Sequence, residues 1–150
     1  MQTDLDIGDI VIGQELYYGD VDATAFGYQV GQVPQMPFAY KTDEKLQDVF
    51  AEAAEGAGFR VVFGDILTND SFVADPEKVA YFQNEFPQAQ VCEMEGAAIG
   101  QVAYQFDRPY LVVRAVSDRA DGKASQTFDE FIIEAGEKSA QMLLKALKKL

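Results

Sequence analysis

Pro109-Tyr110-Leu111-Val112-Val113-Arg114-Ala115-Val116, running straight into Ser117-Asp118, is the most apolar strand-like stretch of the chain. It is rich in β-formers and shows no alternation, which predicts a strand buried on both faces, as in a parallel sheet. Upstream, residues 97–106 predict a helix with Ile99, Val102, Ala103 and Phe106 turned inward. Gly96 and Gly100 lie on one side of it, where another element can approach closely. Gln90-Val91-Cys92 reads as a short buried strand. Asp75-Pro76 is a helix start, an N-cap acid followed by proline in the first turn. Val79, Phe82 and Phe86 form that helix's buried face, and Pro87 ends it.

Further out, residues 59–67 carry the strand run Val61-Val62-Phe63 and Ile66-Leu67. Residues 43–56 predict a helix with Leu46, Val49, Phe50 and Ala53 at three- and four-residue spacing, stopped by Gly56 and Gly58. Ile7 to Ile12 is a strand that Leu16-Tyr17-Tyr18 extends. Between them, residues 20–37 show no sustained period, a length a compact domain carries for a reason. The aromatics Phe26 and Tyr28 in that loop call for cover. At the other end, Thr127-Phe128-Asp129-Glu130 has capping-box form. The helix after it repeats Phe131, Ile132, Ala135, Met142, Leu143, Ala146 and Leu147, and closes with Lys145, Lys148 and Lys149 against the negative dipole end. The alternation of strands and helices predicts one α/β domain over residues 1–150, with a mainly parallel or mixed central sheet flanked by helices.

Composition narrows the function. The 150 residues hold 12 basic and 25 acidic side chains, a formal charge of −13, and 48% are hydrophobic. A chain this size buries about two-thirds of its unfolded surface, enough for one core. The charge argues against nucleic acid or an anionic membrane as partner, since both repel it. No histidine is present, which removes the Ser-His-Asp triad, the Cys-His dyad and imidazole metal sites. The lone Cys92 permits neither an internal disulfide nor a cysteine zinc site and fits a reducing compartment. No acidic pattern resembles a calcium loop, so no metal or cofactor is expected. The N-terminus has no secretory h-region, and no stretch approaches the ~20 apolar residues of a membrane span. A cytoplasmic location is the resulting expectation. Gly8 to Gly13 has the glycine spacing of a P-loop, but Gln14-Glu15 stands where Lys and Ser or Thr are required. Acid–base chemistry falls to carboxylates.

In open α/β sheets, ligands bind beyond the carboxyl ends of strands. Three strands here end in polar or aromatic clusters: Thr68-Asn69-Asp70-Ser71-Phe72-Val73, Glu93-Met94-Glu95, and Ser117-Asp118. Glu93 and Glu95 beside a helix start are also what the dipole alone favours, and a phenylalanine in the place of Phe72 is more often core than a stacking platform. Arg114, inside an apolar strand, needs a carboxylate partner, and Glu93, Glu95 and Asp118 are the candidates.

Cys92-Glu93-Met94-Glu95-Gly96-Ala97-Ala98, followed by Val112-Val113-Arg114-Ala115-Val116-Ser117-Asp118, resembles the nucleoside phosphorylase superfamily. The segments Asp22-Ala23-Thr24-Ala25-Phe26-Gly27-Tyr28, Gly31-Gln32-Val33-Pro34, Asp70-Ser71-Phe72 and Ser125 to Phe131 are more particular. Together they resemble the bacterial 5′-methylthioadenosine/S-adenosylhomocysteine nucleosidases over essentially the whole chain.

The resemblance implies a nucleoside phosphorylase-like fold and hydrolysis of the N-glycosidic bond of the two thio-nucleosides, releasing adenine. Asp118 then corresponds to the general acid on the purine, supported by Ser117. Glu95 corresponds to the carboxylate on the ribose hydroxyls, with Met94 against the sugar face and Glu93 among the substrate contacts. Phe72 corresponds to the ring stacked on adenine, the Val73 backbone to the group reading the base edge, and Phe128 to a closing residue. Arg114 supports the carboxylates. Phe26, Tyr28 and Pro34 correspond to a pocket contributed to a partner subunit, hence a homodimer. At Gly96, close relatives often carry alanine. Family members are longer at the N-terminus, with the first strands, a water-activating glutamate and a glycine loop near the ribose. The chain thus looks like the C-terminal two-thirds of such an enzyme, and on its own is expected to be a poor catalyst. The alternatives are a phosphorylase or another nucleoside hydrolase of the same fold, and an inactive nucleoside-binding fragment.

Overall fold

The computed structural model describes residues 5–117 and 128–150, apart from the side chains of residues 128–134. Five strands and four α-helices follow one another along the described residues, alternating from β2 onward: β1 (Ile10–Tyr18), β2 (Tyr40–Lys41), α1 (Glu44–Glu55), β3 (Val61–Thr68), α2 (Pro76–Glu85), β4 (Ala89–Glu93), α3 (Gly96–Gln105), β5 (Val113–Ala115) and α4 (Phe128–Leu147). The sheet order is β2-β1-β3-β4, with β5 also paired to β1. β1 lies parallel to β3, and β3 parallel to β4. β2 and β5 both run antiparallel to β1, β2 against Glu15–Leu16 and β5 against Ile10–Ile12.

The sheet is therefore mixed, as expected, but its most apolar segment is not the parallel, doubly buried strand that its composition predicts. β5 is three residues long and each is half-buried. The hydrophobicity around it is distributed over separate clusters. Val112 packs with Leu16, Tyr40 and Ile66, Val116 packs with Leu5 and Val11, and Leu111 and Val113 lie against Ile10 and Ile12. A segment that fills three clusters in eight residues reads as uniformly apolar whatever its strand direction.

The helices start where side chains can satisfy their free amides. Asp43 accepts a hydrogen bond from the Leu46 amide at 2.9 Å, and Asp75 accepts one from the Glu77 amide at 2.8 Å ahead of Pro76. α1 and α4 pack Ala51, Ala53, Ala54, Met142 and Ala146 on Ile10 and Ile12. α2 buries Phe82, and Phe86 just beyond it, against Tyr17 and Leu67. Lys145 Nζ donates to the Gly56 carbonyl at 2.7 Å, and Lys149 pairs with Glu52 at 2.5 Å. The basic end of α4 thus fastens it to α1. The capping box at 127–130 lies outside the described side chains.

Two helix faces differ from expectation. In α3, Ile99 and Val102 are exposed and Ala103 is half-buried, and Phe106 just beyond the helix is 70% exposed. The buried residues are Gly96, Ala97 and Gly100. A methyl group on Gly100 would stand 2.8 Å from the Tyr110 hydroxyl and 3.1 Å from both Leu16 Cδ1 and Tyr40 Cβ. The helix docks by its small residues because the sheet comes that close, and its large apolar residues are left on the far side. In α4, Leu143 and Leu147 are likewise exposed.

The long loop over residues 20–37 is held by specific contacts. Asp22 Oδ1 accepts from the Thr24 amide at 3.0 Å and from its hydroxyl at 2.7 Å, and the Gly31 amide donates to the Val21 carbonyl at 2.7 Å. Gly31 has φ +85°, and a methyl group there would sit 2.3 Å from the Tyr18 carbonyl and 2.9 Å from the Phe86 ring. Gly31→Ala is expected to cost about 2 kcal/mol through backbone strain and steric overlap together. Urea unfolding monitored by circular dichroism measures this, with Gly27→Ala, which meets open space, as the control expected to cost less.

Candidate functional site

The carboxyl ends of β1, β3 and β4 come together because their parallel register aligns Tyr18 with Thr68 and Thr68 with Glu93. The chain then leaves β3 into the segment holding Phe72 and Val73, and leaves β4 into Met94, Glu95 and α3. Two of the three clusters expected at one sheet edge therefore do meet there. The third arrives differently. β5 runs antiparallel to β1, and what it sends across is Arg114.

Arg114 Nη2 donates to Glu93 Oε2 and, at 2.6 Å, to Glu95 Oε2. Glu93 is the hub of the arrangement. Its side chain is 8% exposed, and its carboxylate accepts from the Glu95 amide at 3.1 Å, from the Gly96 amide at 2.8 and 2.9 Å, and from the Thr68 hydroxyl. It caps the start of α3 from two residues upstream of the cap position, where Glu95 itself makes no capping bond. The two acids are placed differently: Glu93 serves the helix end and the ion pair, while Glu95 shares Arg114 with a side chain 60% exposed. A buried carboxylate is tolerated here because a guanidinium, a hydroxyl and two backbone amides replace its water.

Gly96 gives this carboxylate its room. A methyl group at residue 96 would lie 3.0 and 3.1 Å from the two Glu93 oxygens. Thr68 was legible in the sequence only as the first of a polar cluster. The structure buries it to 3% exposure between β4 and α3. A hydroxyl ending an apolar strand one register step from a glutamate is the signal, but the pairing of β3 with β4 is needed to see it.

Phe72 is 60% exposed and Met94 45% exposed, while Val73 is buried at 6% with Tyr17 and Phe82 in its cluster. Ser117 is half-buried at the end of the described segment. Asp118 lies outside the described residues, as does the side chain of Phe128. On the long loop, Phe26 is 83% exposed, Pro34 is exposed and Tyr28 is half-buried. A separate cavity of about 250 Å³ beside Gly19, Asn69, Lys78 and Phe82 contains none of these residues. Burial pushes the Cys92 thiol up to about 12, the opposite of the lowered values that mark reactive cysteines. Among the described residues no group of three acidic or cysteine side chains is placed to hold a metal ion, and no helix is long and apolar enough to cross a membrane.

The phosphorylase superfamily model matches residues 1–148, and the chain belongs to that superfamily. The relatives it matches are more particular. It is 46% identical over 146 residues to the 5′-methylthioadenosine/S-adenosylhomocysteine nucleosidase of Haemophilus influenzae, covering 97% of this chain and 64% of that one. It is 44% identical over 147 residues to the enzyme of that name from Bacillus licheniformis, with the same coverage. Its fold matches the crystal structure of the Neisseria meningitidis nucleosidase in complex with methylthio-immucillin-A at a TM-score of 0.91 and 43% identity, over 100% of this chain and 65% of that one. The chain thus spans a little under two-thirds of the length of these relatives.

Proposed function

We propose that this chain carries the base- and ribose-binding part of a nucleosidase that hydrolyses the N-glycosidic bond of 5′-methylthioadenosine and S-adenosylhomocysteine. The observation that carries the reading is the division of labour between Glu93 and Glu95. One carboxylate is consumed by the protein, and the other is held by Arg114 at 2.6 Å with its remaining surface outward, next in the chain to exposed Met94, while Phe72 on the segment that follows β3 is exposed as well. A ribose diol needs such an acceptor, and a purine needs a ring of that kind to stack on. Relatives that carry the name of this activity support the same reading.

In the proposed reaction the bond between C1′ and N9 breaks and its electron pair goes to the purine. Asp118 delivers a proton to N7, with Ser117 supporting it, so that neutral adenine departs. The oxygen of a water molecule bonds to C1′, and its proton leaves to solvent. Glu95 accepts from the ribose hydroxyls more strongly as the sugar becomes electron-poor, which is differential binding of the transition state. Met94 lies along the sugar, Phe72 stacks on adenine, the Val73 backbone reads its edge and Phe128 closes over it. Glu93 contributes through Arg114 and Glu95. No metal or cofactor takes part, and the location is cytoplasmic. The exposed Phe26 and Pro34, with Tyr28, meet a second copy in a homodimer and complete its alkylthio pocket.

The test is incubation of the 150-residue chain with 5′-methylthioadenosine, with and without inorganic phosphate. The expected outcome is binding in the calorimeter and slow adenine release, equal under both conditions. Release that requires phosphate would move the reaction to phosphorolysis, and absence of nucleoside binding would reject the proposal.

A further inference from the structure

We infer that Thr68 is a positioning residue for the ribose-holding carboxylate, acting through Glu93 and Arg114; the inference rests on the reading of Glu95 given above. Thr68 is 3% exposed. Its hydroxyl donates to Glu93 Oε1 and accepts from the Ala97 amide at 2.8 Å. One side chain therefore joins the end of β3 to the end of β4 and to the first turn of α3. A hydroxyl has a single proton to give, and here it goes to the carboxylate.

The consequence runs outward in three steps. With Oε1 held by Thr68, the other oxygen, Glu93 Oε2, faces Arg114 Nη2. The same Nη2 reaches Glu95 Oε2. Glu95 is otherwise an exposed side chain with three rotatable bonds, and holding it in one orientation ahead of the ligand removes an ordering cost from binding. Threonine suits the position, since a β-branched side chain has few χ1 choices and keeps its hydroxyl aimed. Thr68→Val keeps the shape and removes the hydroxyl. It leaves the Ala97 amide without its acceptor and removes one of the four groups that orient the Glu93 carboxylate toward Arg114, the Glu95 and Gly96 amides and Arg114 itself being the others.

The test compares affinities for 5′-methylthioadenosine and for adenine, which lacks the sugar. Thr68→Val is expected to weaken binding of the nucleoside about tenfold, the worth of one charge-assisted hydrogen bond, and to leave adenine binding unchanged. Thr68→Ser, which keeps the hydroxyl, is expected to recover most of the loss. A merely structural role for Thr68 would weaken both ligands alike, and a nucleoside-to-adenine ratio unchanged in Thr68→Val overturns the inference. Should Thr68→Val not fold, Thr68→Cys keeps the volume with a weaker donor, and the same ratio decides. A wild-type chain that binds the nucleoside no better than adenine would instead bring down the ribose reading of Glu95, and the inference with it.

Discussion

Glu93→Ala is expected to lower the folding stability of this chain by about 3 kcal/mol, whereas Glu95→Ala, two residues away and bonded to the same guanidinium, is expected to lower it by less than about 1 kcal/mol. Removing one partner of a buried, hydrogen-bonded ion pair costs about 3–5 kcal/mol, because the other partner stays behind without its counter-charge. The Arg114 side chain is 34% exposed and keeps Glu95, which places the expected loss at the lower end. The same substitution strips the cap from α3 and leaves the Thr68 hydroxyl without its acceptor. Glu95 is 60% exposed, and pairs of that kind contribute little to stability. Urea unfolding of the two variants measures the difference. Since a domain has only about 5–15 kcal/mol in total, Glu93→Ala shifts the midpoint far enough to be read without extrapolation. Equal losses would mean that the two acids share the load and that the division between them is wrong. Nucleoside affinity should follow the opposite order per unit of stability lost: Glu95→Ala stays folded and loses the ribose contribution.

Asp118→Asn is expected to reduce adenine release by about 10²–10⁴-fold, the usual contribution of a positioned general acid. Asparagine keeps the shape and can still hydrogen-bond to the base, so nucleoside binding should change little while turnover falls. That separation marks an interaction made in the transition state alone. Single-turnover release of adenine from 5′-methylthioadenosine, alongside calorimetric binding, provides both numbers. Turnover unaffected by the substitution would assign the proton to another group, and in a chain without histidine the remaining choices are other carboxylates or water.

The local elements were legible where a covalent or steric rule acts within a few residues. The Asp75-Pro76 start of α2 and the Asp43 start of α1 were readable because a capping acid and its amide lie two or three residues apart. Phe82 and Phe86 were readable because one helix face meets one sheet face. The inward face of α3 is not the one its large apolar residues predict. Ile99, Val102 and Phe106 have the right spacing and the right chemistry, but amphipathic spacing only says which residues share a face. Which face docks depends on how near the sheet lies, and Gly100 shows that it lies too near for large side chains. The direction of β5 was hidden for a related reason: apolarity reports burial, and burial against three different clusters looks the same as burial between two helices.

The candidate site divides along the same line. Its residue types, and the need of Arg114 for a carboxylate, were set by composition, since an arginine in an apolar segment and a chain without histidine leave few alternatives. Which carboxylate turns in and which turns out was decided by tertiary structure alone. Glu93 and Glu95 sit on the same short segment with the same side chain, and the local capping of α3 by Glu93 does not by itself bring it Thr68 or Arg114. The difference comes from β3 pairing in register with β4, which sets Thr68 beside Glu93, and from β5 crossing to bring Arg114 over both. Such contacts join residues 19 to 29 positions apart in the chain, and sequence patterns of period two or 3.6 carry no record of them.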